Sequence, residues 1–415
     1  MKIAIVGSGI AGLTCAYLLA RRHEITVFEA DARIGGHTHT VPVTVDGREY
    51  SVDTGFIVFN DWTYPNFIRL LGQLGVTFKP TEMSFSVNDP DSGLEYNGNN
   101  LNSLFAQRSN LLSPGFWGML RDILRFNKEA RRDLAEQRIS VDTTLDDYLK
   151  AGGYGERFIL HYIVPMGAAI WSMPMAEMLN FPLQFFVRFF ENHGLLSISN
   201  RPQWQVIEGG SSAYIAPLTA SFKERIRLNC PVGRIDRDAH GVVIHSPAGI
   251  ERFDKVVLAC HSDQALRLLG NPDDKEREIL GALPYADNEV VLHTDTRLLP
   301  SRTLARASWN YRLGGAGHTL AAVTYDMNIL QGIQSDTTFC VSLNQSAGIS
   351  PSKVLARFTY AHPQFSLAAV AAQQRWAEID GEQHTHYCGA YWANGFHEDG
   401  VVSALRVAAS FGESL

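Results

Sequence analysis

Residues 2–12 read Lys2-Ile3-Ala4-Ile5-Val6-Gly7-Ser8-Gly9-Ile10-Ala11-Gly12. A β-branched run breaks at three glycines spaced G-x-G-x-x-G, and a helix-forming stretch then runs to Arg21-Arg22 before a second strand signal from Ile25 to Glu29. Strand, glycine turn, helix and strand in this order predict a dinucleotide-binding βαβ unit. The three glycines serve different ends. Gly7 permits the tight turn, Gly9 lets backbone approach a pyrophosphate, and Gly12 lets the helix pack closely on the strand. With Ser8 and Ala11 these residues form the expected cradle, where unpaired N–H groups and the helix dipole face the phosphates. Glu29 ends the second strand, where a carboxylate accepts hydrogen bonds from ribose hydroxyls and repels a 2'-phosphate. The same order argues against reading the first twenty residues as a secretory leader, and no stretch reaches the ~18 uninterrupted apolar residues a spanning helix needs.

Composition narrows the class further. With 415 residues, 45% of them hydrophobic, the chain exceeds one ordinary domain, and two closely joined domains are expected. A net charge of -7 without any dense Lys/Arg tract argues against a nucleic-acid partner. Cys15, Cys230, Cys260, Cys340 and Cys388 are scattered and lack metal-type spacing. They read as reduced thiols in a cytoplasmic protein with no metal. Strand and helix alternate over residues 1 to about 85; residues 86–199 read as helical, with helices at Phe116 to Asp133, Leu145 to Lys150 and Phe181 to Phe190. Strand signals return from about 205 to 259, and again at Glu289 to Thr294 and Phe339 to Leu343. The last 30 residues carry a glycine-rich segment and a helix from Val401 to Phe411. The expected architecture is α/β, with a nucleotide domain built from 1–85, 200–285 and 385–415. An α+β substrate domain with a helical insertion is built from 86–199 and 286–384.

After Glu29 the chain reads Ala30-Asp31-Ala32-Arg33-Ile34-Gly35-Gly36-His37-Thr38. This E-x-x-x-R-x-G-G extension resembles the flavin amine oxidase and phytoene desaturase superfamily, whose fold is a Rossmann-like, GR2-type FAD domain. Further segments match in the same order: Val52-Asp53-Thr54-Gly55-Phe56, Val232 before Gly233-Arg234, Lys255 to Ala259, Tyr387 to Tyr391, and Glu398-Asp399-Gly400-Val401. The resemblance implies FAD contacts from Glu29, Ala30, Arg33, Gly35, Gly36, His37 and Thr38, from Gly55 and Phe56 beside the ring, and from Val232 at the adenine. It also implies that a second helix N-terminus, at Asp399, Gly400 and Val401, meets the N1/O2 edge of the flavin, where negative charge collects on reduction. Cys388 does not align with the flavin-linking cysteine of monoamine oxidases, so non-covalent FAD is expected.

Amine oxidases of the superfamily carry a cage tyrosine two residues before an acid-glycine pair, and here His397 stands two residues before Asp399-Gly400. A histidine there either moves a proton, with Glu398 as the other candidate acceptor, or hydrogen-bonds a backbone carbonyl to fix the turn. The stretch from Ala168 to Pro174 with Phe181, Phe185, Phe186, Phe189 and Phe190 reads either as core or as the wall of a tunnel. Trp117, Met119, Leu120, Ile123, Leu124 and Phe126, interleaved with Arg121, Asp122 and Arg125, read as a helix packed on the sheet or lying on a bilayer. The strings Phe358-Thr359-Tyr360-Ala361-His362-Pro363 and Tyr391 to Gly400 resemble one bacterial branch of the superfamily. That branch is associated with cyclopropane-synthase-like methyltransferases, and some members desaturate phospholipid acyl chains, including in furan fatty acid formation. The resemblance therefore implies an acyl-chain substrate, a methyltransferase partner and peripheral contact with the inner membrane face. Two alternatives stand beside it: an oxidase of a hydrophobic amine, and a flavoprotein that binds without catalysis.

Overall fold

The structure is a computed structural model, and it describes residues 1–314 and 321–415. The βαβ unit consists of β1 (Lys2–Val6), α1 (Ile10–Leu19) and β2 (Glu24–Phe28). Distant segments complete a five-stranded parallel sheet: β3 (Ile226–Arg227) lies beside β2, while β4 (Lys255–Leu258) and then β5 (Thr385–Tyr387) lie beyond β1. The strands are apolar on both faces because helices cover one side and an antiparallel three-stranded meander, Arg234–Asp238, Gly241–Ser246 and Gly249–Phe253, covers the other. Two further helices matter for the site, α2 (Pro65–Leu74) and α4 (His397–Ala409), while α3 (Pro114–Ala135) belongs to the helical insertion.

A seven-stranded mixed sheet forms the second body, in the order Val354–Pro363, Tyr285–His293, Cys340–Leu343, Val323–Asp326, Trp309–Arg312, Phe85–Asp89 and Leu94–Asn97. Its last two strands lie in the region expected to be helical. Phe85-Ser86-Val87-Asn88-Asp89 carries polar residues at buried positions, and Ser86 donates to Asn310 Oδ1 across the sheet, so hydrophobic patterning alone hides the strand. The helical insertion packs Phe126, Phe158, Phe181, Phe186 and Phe190 into a core of its own, so most of the phenylalanine-rich stretch is core. Met119 and Phe126 of α3 face that core. Among the large apolar residues of that helix, only Trp117 and Leu124 are exposed. Among the described residues, no helix is long and apolar enough to cross a membrane.

Candidate active site

A cavity of about 620 Å³ lies against the C-terminal ends of β1, β2 and β4 and runs toward the mixed sheet. The glycine turn shapes one end. Gly7 has φ +106°, and a Cβ there would meet Ala259 O at 2.7 Å; a Cβ on Gly12 would stand 2.1 Å from Gly7 O. Gly9 differs from both: its backbone is extended, and a Cβ would meet nothing within 4 Å because it would point into open cavity. Gly9 is the N-cap of α1 and no side chain caps that end, so the first N–H groups remain free toward the cavity wall formed by Ile10 and Ala11. A diphosphate fits this cradle.

Glu29 lines the same end. One of its oxygens accepts from Ser8 N at 2.9 Å and Ser8 Oγ at 2.5 Å, and the other accepts from Asp31 N at 2.8 Å. Ser8 is fully buried and off the wall, so it orients Glu29 and does not face a ligand. Ala30 and Val232 line the wall beside it. Arg33 is likewise off the wall: it donates to Thr38 O at 3.0 Å and Gly36 O at 2.7 Å, bracing the Gly35–Thr38 loop. That brace holds Gly36, at φ +59°, so close to Gly9 that a Cβ would lie 3.0 Å from Gly9 Cα. Gly35, Gly36, His37, Gly55 and Phe56 all line the cavity.

His397 also lines the cavity and is the first residue of α4. Its ring stacks on Phe56 with centroids 3.4 Å apart, and Nε2 lies 2.9 Å from Thr38 Oγ1 and 3.3 Å from Tyr214 OH. Thr38 is buried behind the wall within this group. Burial pushes the imidazole down to about 3, so it is neutral at neutral pH and does not titrate there as its intrinsic value suggests. Nδ1 has no hydrogen-bond partner among the described residues.

The other residues of this turn are placed differently from the sequence reading. Glu398 does not line the cavity; its carboxylate accepts from Asn66 N, Asn66 Nδ2 and Phe67 N at 2.7–3.1 Å and so caps α2. A role as proton acceptor at the cavity does not fit that position. Asp399 accepts from Phe396 N at 2.9 Å within its own turn, and burial pushes its carboxyl up to about 7. Gly400 packs on α1, where a Cβ would meet Ile10 Cγ2 at 2.8 Å, and Val401 is core. Asp399, Gly400 and Val401 therefore do not line the cavity, and the residues of this segment that do are Asn394, Gly395, Phe396 and His397, because α4 begins four residues earlier than Val401.

Of the Ala168–Pro174 stretch, expected as core or tunnel wall, Ala169, Ile170, Trp171 and Ser172 line the cavity. Trp171 forms an aromatic wall with Trp309, Tyr391 and Phe396; His261 and His362, which the sequence did not single out, stand with His37, whose ring centroid lies 6.1 and 5.3 Å from theirs. Burial first, and then the neighbouring histidines, hold His37 well below its usual value. Among the described residues no group of His, Cys, Asp and Glu is arranged to hold a metal. The position of His261, just past a parallel strand end where ligands gather, was the signal available in the sequence. Cys260 lines the cavity, but burial pushes its thiol up to about 12, while Cys388 is buried away from it. Neither is poised as a nucleophile for a covalent link.

A second cavity of about 160 Å³ adjoins the first, sharing Val58, Ile170, Trp309 and Phe396. Its wall is apolar, with Phe85, Tyr162, Met166 and Leu195, and Arg201 is its one charged residue.

The family profile described as flavin containing amine oxidoreductase matches residues 10–410. A Mycobacterium tuberculosis protein named for flavin-containing monoamine oxidase activity is 24% identical over 277 residues, covering 62% of this chain and 56% of that protein. The L-amino-acid oxidase of Mus musculus is 25% identical over 307 residues, 68% of this chain and 46% of that protein. The chain thus spans about half the length of the curated relatives it matches. Among solved structures, cyclohexylamine oxidase from Brevibacterium oxydans IH-35A superposes with a TM-score of 0.69 at 16% identity, covering 99% of this chain and 98% of the other. A fatty acid isomerase from P. acnes gives 0.71 at 16% identity with the same coverage. Likeness at this level of identity shows a shared fold.

Proposed function

Because the chain belongs to the flavin-containing amine oxidoreductase family and FAD is its cofactor, we propose that it oxidises a hydrophobic acyl chain as a desaturase or dehydrogenase. The observation carrying this reading is the second cavity. It is apolar, has no carboxylate on its wall to hold an ammonium group, and shares Phe396 and Trp309 with the wall of the larger cavity.

Gly9, Ile10 and Ala11 would hold the diphosphate, Glu29 a ribose, and His37, Gly55, Phe56 and the α4 turn the ring. FAD supplies a two-electron acceptor when bound. The chain's own residues must keep water out, align the substrate carbons and accept the proton left when a hydride equivalent departs from the neighbouring carbon. The aromatic wall does the first two. With Nε2–H donating to Thr38 Oγ1, Nδ1 of His397 is an unprotonated acceptor on the cavity wall, and it is the candidate for the third.

The family description favours a second reading, oxidation of a hydrophobic amine, in which Phe396 and Trp171 flank the amine. Anaerobic mixing of the holoprotein with long-chain acyl phospholipid or with hydrophobic amines separates the two. Bleaching of the flavin band at about 450 nm by the acyl substrate alone is expected. Bleaching by amines alone would reverse the order.

A further inference from the structure

Next in sequence to Gly98 and Asn99 of the apolar cavity wall lies a surface that folding does not explain. Leu101, Leu111, Leu112 and Trp117 are 75%, 48%, 88% and 50% exposed. They form one patch. The Trp117 indole donates to Leu111 O at 3.0 Å, its ring lies 5.5 Å from that of Phe105, and the Arg108 guanidinium bridges Phe105 O and the Asn102 side chain. Ser113 fixes the segment to α3 by accepting from Phe116 N, so these apolar groups are displayed from a braced turn. Scattered exposed leucines need no explanation, but four large apolar groups displayed from one braced 17-residue segment, 101–117, mark an interaction site.

Charge identifies the partner. From Tyr96 to Arg121 the sequence contains no Asp or Glu, in a chain whose net charge is -7. Arg108 and Arg121 are both exposed in this stretch. Arg121 is 80% exposed and reaches only the far edge of ion-pair distance from Asp122, at 4.0 Å, while Asp122 itself is buried and accepts from Gly155 N. Apolar side chains flanked by two exposed guanidinium groups, Arg108 hydrogen-bonded but without a carboxylate partner and Arg121 no closer than 4.0 Å to one, match a membrane surface, with acyl chains below and anionic headgroups at the rim.

The position of the patch adds a second observation. Gly98 and Asn99 line the apolar cavity, and Leu101 follows two residues later, within about 7 Å along the chain. Arg201 stands on the same cavity wall, and Ile198, 71% exposed, lies on the loop that Arg201 braces through Ser197 O. That loop, residues 192–207, is also free of Asp and Glu.

We infer that the turn at residues 101–117 docks the protein on an anionic phospholipid bilayer, inserting Leu101, Leu111, Leu112 and Trp117 with Arg108 and Arg121 at the headgroups. The docked face then presents the mouth of the apolar cavity to the lipid. Docking itself stands apart from the proposed function; only the use of that mouth as an acyl-chain entrance rests on it.

The test is co-sedimentation of the yellow holoprotein with phosphatidylglycerol/phosphatidylethanolamine vesicles and with pure phosphatidylcholine vesicles. Binding to the anionic vesicles that weakens at least tenfold with added salt or in R108E/R121E is expected. So is an equal loss when Leu101, Leu111, Leu112 and Trp117 are all replaced by Ser, with the flavin spectrum unchanged in both variants. Because these side chains are outside the core, the variants keep the fold; brominated acyl chains that quench wild-type tryptophan emission more than that of Trp117→Phe give an independent readout. No binding to anionic vesicles, or undiminished binding by the serine variant, overturns the inference. So does a stable dimer in light scattering that the serine variant abolishes and vesicles do not compete with, since the patch would then be covered by a second copy. Vesicle binding without acyl-chain oxidation would leave docking intact and remove the proposed function. Oxidation of a dispersed acyl substrate without vesicle binding would do the reverse.

Discussion

Gly9 and Gly12 sit three residues apart in one motif, yet the structure gives them opposite consequences. Gly9→Thr places its side chain in open cavity on a backbone, φ -71° and ψ 177°, that any residue adopts. Thr and Gly are near-equal N-caps, so the apoprotein should change by no more than a few tenths of a kcal/mol. The same atoms occupy the diphosphate cradle, and the Thr hydroxyl competes for the N–H groups that the phosphates would use, so FAD is lost. If FAD at about one hundred times its Kd contributes about 2.7 kcal/mol, the holoprotein should melt higher than the variant. Unfolding entropy for 415 residues is roughly 0.9 kcal/mol per degree, which makes that gap about 3 °C. Gly12→Ala instead drives a Cβ to 2.1 Å from Gly7 O, forcing α1 off β1. Overpacking of this kind costs about 3 kcal/mol with or without cofactor. Thermal melts of both variants, with and without FAD, and flavin absorbance after desalting test the contrast. Retention of FAD by Gly9→Thr, or an apo melting point for it as low as that of Gly12→Ala, would refute the placement of the diphosphate.

Four further outcomes are expected. His397→Ala should keep FAD while slowing flavin bleaching by the proposed substrate roughly 10²-fold or more; if His397→Gln, which retains a hydrogen bond to Thr38 but is no base, restores the rate, His397 is a positioning residue only. Glu398→Ala leaves Asn66 N and Phe67 N without their acceptor, so it should lower stability by about 2 kcal/mol without bleaching the flavin spectrum, and an unchanged melt would contradict its capping role. Arg237 and Glu276 form an ion pair with both side chains 1% exposed, so Glu276→Ala strands a buried guanidinium and should cost about 3–5 kcal/mol in chemical denaturation. Stability should also fall as pH drops from about 6 to 5. Burial holds His193, His293 and His362 at about 4 and His397 at about 3, so the unfolded chain binds those protons first. Asp53 and Asp399, raised to about 6 and about 7, act in the opposite direction, since the folded state keeps their protons. His39, also held at about 4, adds to the histidines, so about three protons net are taken up on unfolding near pH 5, or about 4 kcal/mol per pH unit. Equal urea midpoints at pH 6 and pH 5 would refute this.

What was legible in the sequence was local. The turn at Gly7 to Gly12 and the carboxylate at Glu29 belong to one βαβ unit, so spacing along the chain fixes their spacing in space. The C-terminal side of the site was read less well, and the cause is Gly400. A glycine near a helix start suggests the helix begins there, whereas Gly400 lies inside α4 because Ile10 of α1 leaves no room for a Cβ. With the start of the helix displaced, Phe396 was missed as a wall residue and Glu398 was given a chemical role. Its true partners, Asn66 and Phe67, lie more than 300 residues away. The strands at Phe85 and Leu94 were hidden for a related reason: their polar residues are satisfied by a sheet neighbour about 220 residues on, and no periodicity records that.

The first turn of α4 therefore ties together segments that the chain supplies separately. His397 binds Thr38 and stacks on Phe56, Glu398 caps α2, Asp399 closes its own turn, and Gly400 seats the helix on α1. α1 presents its free N–H groups to the cavity, and the turn before α4 supplies another part of its wall. Phe396 belongs to this turn and also to the walls of both the flavin cavity and the apolar cavity. A shift of the turn before α4 would therefore alter the walls of both cavities at once.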